Sequence, residues 1–410
     1  MRARDIFCPT EILLPDLSRI DGTRWATVAC DQYTSQPDYW ERVSRFVGDA
    51  PSTLRLMLPE VYLPESDRRI PEIHRAMETA LRDWLVPCPD SMILTERSQA
   101  DGRIRRGIVG AIDLESYDYR AGAVSPIRAT EGTVLERIPP RVRIRRGAPL
   151  EMPHVMLLFD DPRNAVIGPL LSARASLPLL YDFDLAENGG HIRGYRLGAA
   201  QQAALTDALD TLTAGHGSHP LLFAVGDGNH SLASAKAAYE EVKAALGADA
   251  ARSHPARYAL VEAVNIHDPS LDFEPIYRVV FDVDPAAFLA DFAAFASSQA
   301  GSAAAQEFLA VTASGDRVIA VPSPVYQLPV ATLQAFLDSR PSLAIDYIHG
   351  EDALRSLATR PNAVGFLFRG MEKSALFPAI LADGALPRKT FSMGHAHDKR
   401  FYLECRQIRG

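Results

Sequence analysis

PLLFAVGDGNHSLASAKAAYEEVKAAL, residues Pro220 to Leu246, changes character once along its length. It opens with an apolar run, Leu221 to Val225, long enough for a buried strand. Gly226 and Gly228 then break it, with Asp227, Asn229, His230 and Ser231 packed around them. From Leu232 the residues are strong helix formers, and no glycine or proline follows until Gly247. The unit reads as strand, tight polar turn, helix. Such a turn aims unpaired backbone N–H groups and the helix dipole at one point, where an anion is favoured. Asn229 or Ser231 is expected to cap the helix, and Lys236 is expected to reach back toward a bound phosphate. Asp227 supplies a base and His230 a proton donor. Asp-Gly-Asn is also ordinary turn chemistry, and Ser or Asn an ordinary cap. What favours a functional reading is density: four polar side chains of distinct chemistry stand where a simple turn needs one or two.

The chain has 410 residues, enough for two or three domains, with 47% hydrophobic and 23% charged content, the balance of a globular protein. A net charge of −8 argues against a protein that coats nucleic acid. Cys8, Cys30, Cys88 and Cys405 are scattered and form no CxxC pair, which disfavours a zinc knuckle or a disulfide scaffold and suits reduced thiols in a cytoplasm. The N-terminal MRARDIFCPTEILLPD does not read as a signal peptide. No apolar run approaches the ~20 residues of a membrane span. Three regions are expected: 1–150 with a basic segment, 151–284 around the central turn, and 285–410.

Trp25 to Cys30 (WATVAC) is expected as a strand, ending in a polar loop whose Asp31 and Gln32 are expected to contact substrate, or else to satisfy a turn and a cap, before a helix near Asp38. Between Arg128 and Arg146 (RATEGTVLERIPPRVRIRR) arginines stand at 128, 137, 141, 143, 145 and 146. Pro139 and Pro140 forbid a continuous helix, and on a strand Arg141, Arg143 and Arg145 share one face. This charge suits a phosphorylated ligand, since guanidinium groups hold phosphate oxygens bidentately, or else a salt-bridged face. Glu131, inside the segment, is a second base candidate. Asp160-Asp161-Pro162 reads as a turn more than a cation site, and His216 and His219 as loop histidines. Glu262, Asn265 and His267 lie along apolar strands and are expected to face a cleft with substrate. Leu179–Phe183 and His191–Leu197 form a hairpin, and a helix covers 199–212. Near the end, Arg388, Lys389 and Thr390 stand together.

Three separated stretches thus carry phosphate-binding character, as an enzyme handling a phosphorylated small molecule requires. No GxxxxGK[ST], no GxGxxG after a strand and no GxSxG is present, so the sharply signed nucleotide and hydrolase classes are unsupported.

WATVACDQYTSQPDYW, IRATEGTVLERIPPR, VGDGNHSLASAK, NIHDPSLDFEPIYRVVF and LPRKTFSMG, in that order, resemble the family catalogued as domain of unknown function 1015. That family's central motif, Asp-Gly-His-His-Arg-Tyr, stands here as Asp227-Gly228-Asn229-His230-Ser231-Leu232. The motif in turn resembles the nucleotide-binding motif of the ParB and sulfiredoxin superfamily, which includes free-serine kinases. The resemblance implies a mixed α+β fold with a ParB/sulfiredoxin-like core around the strand-turn-helix and further α+β modules. It also implies phosphotransferase chemistry with Gly228 and the helix start on the phosphates, and a free amino acid such as serine as acceptor; with a nucleoside phosphate or pyrophosphate, Mg2+ is expected on chemical grounds. Ser231 replaces the motif's arginine, so Lys236 or an arginine of 128–146 must compensate. The reading from another class is a nucleotide-sensing module that binds without turnover, as a homo-oligomer or otherwise.

Overall fold

The computed structural model describes residues 2–120, 122–213 and 219–410. The chain is mixed α/β and divides into two units. The larger comprises Met1–Ala129, Thr133–Leu271 and Gly394–Gly410, the smaller Thr130–Gly132 and Asp272–Met393.

In the larger unit the described residues form a mixed sheet in the order Leu179–Leu185, Gly190–Arg196, Ile93–Ser98, Ile104–Asp113, Tyr258–Asn265, Met156–Phe159, Phe223–Asp227, Ile127–Ala129 and Tyr117–Asp118. The expected strand-turn-helix is present as Phe223–Asp227 followed by a helix over Asn229–Leu246. Phe223 and Val225 are fully buried and pack with Leu232, Ala235 and Tyr239 of that helix, so one face of the strand and one stripe of the helix share a core. Against Met156–Phe159 the register slips: Met156 faces Asp227, but Leu157 faces Val225. Gly226 is therefore the extra residue of a bulge. Alternation alone would send Asp227 into the core face of Val225; one extra residue turns it to the other side.

The hairpin around Asn188 and the helix Ala199–Leu212 are found where expected. Two local expectations are corrected. Trp25 to Cys30 is not one strand: a helical turn, Gly22–Trp25, leads into two strand residues, Thr27–Val28, paired with Phe401–Tyr402. The arginine segment is not a strand either, but a helix over Ile138–Arg145. Its two prolines fall in the first turn, where the missing N–H has no helical partner to lose.

A buried charge network lies beneath the sheet's middle. Glu262 is 1% exposed and takes a hydrogen bond from Thr95 Oγ1 at 3.0 Å. Arg400 stands 3.1 Å and Arg105 3.7 Å from its carboxylate. Burial alone would push the Glu262 carboxyl up; Arg400 and Arg105 reverse this and hold it below the usual range. Arg400 also pairs with buried Glu404, which accepts the Tyr181 hydroxyl at 2.6 Å. Arg97 and Arg105 donate to the carbonyls of residues 397 to 399, with Arg105 Nη1 2.6 Å from the Asp398 oxygen. The last segment of the chain is thereby strapped onto the sheet.

The smaller unit is an antiparallel sheet in the order Gly315–Val321, Gln306–Thr312, Ala363–Phe368, Phe273–Phe281 and Ala344–His349, with Phe391–Met393 extending along Phe273–Pro275. The alanine-rich helix Pro285–Ser298 and the helix Pro329–Asp338 cover it. Phe292 sits among Phe308, Phe336 and Phe366 at centroid distances of 4.9 to 5.2 Å, within the range of favourable ring contacts.

Replacing Glu262 by Gln leaves the Arg105 charge buried without a carboxylate. Breaking a buried pair in this way costs about 3–5 kcal/mol. Urea unfolding of Glu262→Gln is expected to show a midpoint lowered accordingly; an unchanged midpoint would show that the network does not anchor the strap.

Candidate active site

Gly228 is the pivot of the turn. Its φ is +81°, and a Cβ there would lie 3.0 Å from Val155 Cα, so both backbone angle and space require glycine. It also occupies the cap position of the helix, with no side-chain cap. The expected Asn229 or Ser231 cap is thus corrected: Asn229 and Ser231 lie in the first turn. The helix start keeps its dipole and first N–H groups uncovered by a capping side chain.

Asp227 accepts its neighbour Gly228 N–H at 3.1 Å and pairs with Lys399 at 3.2 Å. Lys399 arrives on the strap held by Arg97 and Arg105. Next to this pair lies a second one. His154 Nε2 is 3.9 Å from Asp31, and its Nδ1 is 2.7 Å from the Tyr402 hydroxyl, which donates to Cys30 Sγ at 3.1 Å. His154 also borders Gly228, its ring 3.2 Å from the glycine's missing Cβ. Burial pushes the Asp31 carboxyl up, but His154, the Gln32 amide at 2.9 Å and Lys399 more than offset it and hold it below the usual carboxylate range. Burial, reinforced by Asp31, pushes the Cys30 thiol up to about 12, so it is protonated at neutral pH. Burial and Cys30 push the Tyr402 hydroxyl well above its ordinary value.

His230 accepts the Val134 N–H at Nε2 at 3.2 Å, which leaves the ring proton on Nδ1. Burial first, then Arg141 and Arg137, push its pKa down to about 4. At neutral pH it is an uncharged donor in a positive field. Arg141 is paired with Glu60, whereas Arg137 has no ion-pair partner among the described residues.

The other expected residues go elsewhere. Lys236 pairs with Glu240 at 2.8 Å and stands 3.9 Å from Glu115, so its charge is already met by two carboxylates. Arg128 is buried and clamps the carbonyls of Val124, Ser125 and His219. Arg143, Arg145 and Arg146 are paired with Asp67, Glu151 and Glu241. Glu262 lies in the buried network described above. Asn265 exchanges hydrogen bonds with the backbone of Asp161, and His267 meets Asp160 at 2.6 Å. Glu131, Arg388 and Lys389 belong to the smaller unit, where Glu131 accepts the Lys389 N–H at 3.1 Å. His216 lies outside the described residues. Among the described residues, no group of three or more His, Cys, Asp or Glu is placed to hold a metal ion. Sequence reading missed Lys399, His154 and Tyr402.

A model of the family described as "Protein of unknown function (DUF1015)" matches residues 16–340, and the chain belongs to that family. No curated protein matches it. Among solved structures, a free serine kinase in complex with AMP is similar at a TM-score of 0.36 and 10% identity, over 72% of this chain and 92% of that one. SbnI with a C-terminal truncation, from Staphylococcus aureus, is similar at 0.35 and 9%, over 71% and 86%. A conserved hypothetical protein from Pyrococcus furiosus is similar at 0.33 and 11%, over 72% and 96%. Likeness at this level transfers no activity to the chain.

The His230 titration, followed by NMR, is expected to have its midpoint near 4 rather than the ordinary 6.5. Arg141→Ala is expected to move it upward by removing part of the positive field. Because the folded pKa is depressed, His230's contribution to stability is complete above about 6.5 and is lost as pH falls through 4. A ligand-free midpoint at or above 6.5 would contradict this electrostatic picture.

Proposed function

We propose that the turn binds the phosphoryl groups of a nucleoside phosphate, and that the protein is a small-molecule phosphotransferase of kinase type. The observation that carries this reading is the juxtaposition at one turn. A helix start without a side-chain cap favours an anion, the Lys399 ammonium offsets the Asp227 carboxylate that would otherwise repel it, and the carboxylate-imidazole pair Asp31–His154 stands beside them.

In this reading the phosphates lie against the backbone N–H groups after Gly228, with His230 Nδ1–H as a neutral donor and Arg137 neutralising charge. Asp31 takes the role of base. Asp227 is already spent on Lys399, and Glu131 on Lys389 of the smaller unit. Asp31 accepts the proton of an acceptor hydroxyl. That oxygen bonds to the terminal phosphorus as the bond from phosphorus to the bridging oxygen breaks, and the leaving nucleotide departs with the electron pair. A Mg2+ would arrive bound to the phosphates themselves, because among the described residues no group of three or more His, Cys, Asp or Glu is placed to hold one. When bound, it would neutralise phosphate charge. A free amino-acid hydroxyl such as that of serine is the proposed acceptor, and the cytoplasm the proposed compartment; no helix of the described residues is long and apolar enough to cross a membrane.

The test is Asp31→Asn. With a nucleoside triphosphate and Mg2+, transfer to the acceptor should fall by about 10²–10⁴-fold, as for loss of a general base. Ligand-induced thermal stabilisation should persist. Full turnover in a folded Asp31→Asn protein would remove Asp31 from this role. Binding without turnover in the unaltered protein would instead establish a nucleotide sensor.

A further inference from the structure

The smaller unit holds a second preorganised cluster. The loop Pro387 to Thr390 has its backbone fixed from several directions. Arg278, fully buried, donates to the Arg388 carbonyl at 3.0 Å, to the Lys389 carbonyl at 2.9 Å and to Ile276. Thr390 Oγ1 closes on the Pro387 carbonyl at 2.7 Å, and the Lys389 N–H on Glu131 at 3.1 Å. The Leu386 N–H is bound to Thr130 at 2.8 Å. So restrained, Lys389 is held at φ +61°, a conformation a lysine adopts only when its surroundings impose it. The loop presents two exposed cations, and neither the Arg388 guanidinium nor the Lys389 ammonium has a partner among the described residues.

Arg388 borders a cavity of about 260 Å³ shared with Tyr326, Tyr347, Gln334, Asp338 and Asp383. The same buried arginine lies behind two of the lining residues, Tyr347 and Gln334. Arg278 stacks 4.9 Å from the Tyr347 ring and donates to Gln334 at 3.2 Å, and Gln334 donates to Asp338 at 2.8 Å. Among the described residues no carboxylate is hydrogen-bonded to Arg278; its guanidinium is met by three backbone carbonyls and the Gln334 amide oxygen. Asp338 and Asp383 are the two acids of the lining, and burial pushes the Asp383 carboxyl up.

We propose that this loop and cavity form a second ligand site, separate from the turn of the larger unit. Its ligand is a small molecule with an oxyanion, phosphate or carboxylate, on an uncharged planar body. The oxyanion sits at Arg388 and Lys389, where a planar guanidinium can hold two of its oxygens. The body lies against Tyr326 and Tyr347. The proposal stands on the smaller unit alone and does not rest on the phosphotransferase reading.

The test uses the full chain with inorganic phosphate, phenyl phosphate and benzoate, read by calorimetry and by the rate of lysine acetylation at each site. Phenyl phosphate or benzoate is expected to bind more tightly than inorganic phosphate and to slow acetylation of Lys389. Arg388→Ala should weaken binding by about tenfold or more, the worth of one charge-assisted contact. Protection by phenyl phosphate alone assigns a phosphate ligand, and equal protection by benzoate a carboxylate. Lys399 reports the turn of the larger unit in the same experiment, so protection there without protection of Lys389 overturns this inference and leaves the turn reading standing. Binding unchanged in Arg388→Ala, or no binding by any probe at millimolar concentration, also overturns it.

Discussion

One carboxylate, that of Glu262, holds the larger unit's arrangement together. It lies in the sheet with two arginines against it, Arg105 and Arg400, and Arg400 hands the charge on to Glu404. A buried ion network is costly to assemble and costlier to break, so it is better suited to specifying one arrangement than to adding stability. Here the arrangement specified is the path of the last segment. Arg97 and Arg105 grip its carbonyls and Arg400 is part of it, so Lys399 and Tyr402 are delivered to fixed places. The resulting contacts span most of the chain, from Asp31 and Cys30 through His154 and Asp227 to Tyr402.

The turn itself depends on two glycines for different reasons. Gly226 is the bulged residue that moves Asp227 off the core face. Gly228 takes the left-handed angle that starts the helix without a capping side chain. Together they place a carboxylate beside an uncapped helix start, and the Lys399 ammonium balances that carboxylate's charge. His230, in the helix's first turn, stays neutral because burial and two arginines oppose its protonation, and it can still donate a hydrogen bond to an anion.

Periodicity and turn chemistry made much of this fold legible. The strand-turn-helix, the hairpin at Asn188, the helix Ala199–Leu212 and the strand Phe273–Phe281 each carry a local signature of period, glycine or flanking proline. In the arginine segment the alternation of charge imitates strand geometry, but its prolines sit where a helix tolerates them. Its charge also looked available, yet Arg141, Arg143, Arg145 and Arg146 are matched by acids from other stretches. The reverse holds for Lys399, His154 and Tyr402. Nothing local marks them, and Tyr402 reaches its partners across 248 and 372 residues of sequence. Glu262 read as polar on an apolar strand for a sound reason, since a buried carboxylate does need partners; those partners proved to be arginines of the fold.

The claim on which the account rests is that the turn after Asp227 is an anion site for a nucleoside phosphate. A thermal-shift panel of ATP, ADP, CTP, pyrophosphate and phosphate, each with and without Mg2+, tests it most directly. The account predicts that at least one nucleotide stabilises the protein, by about 2.7 kcal/mol at a hundred times its dissociation constant, and that Lys399→Ala abolishes the shift. No shift with any of them, or a shift unchanged in a folded Lys399→Ala protein, would contradict it.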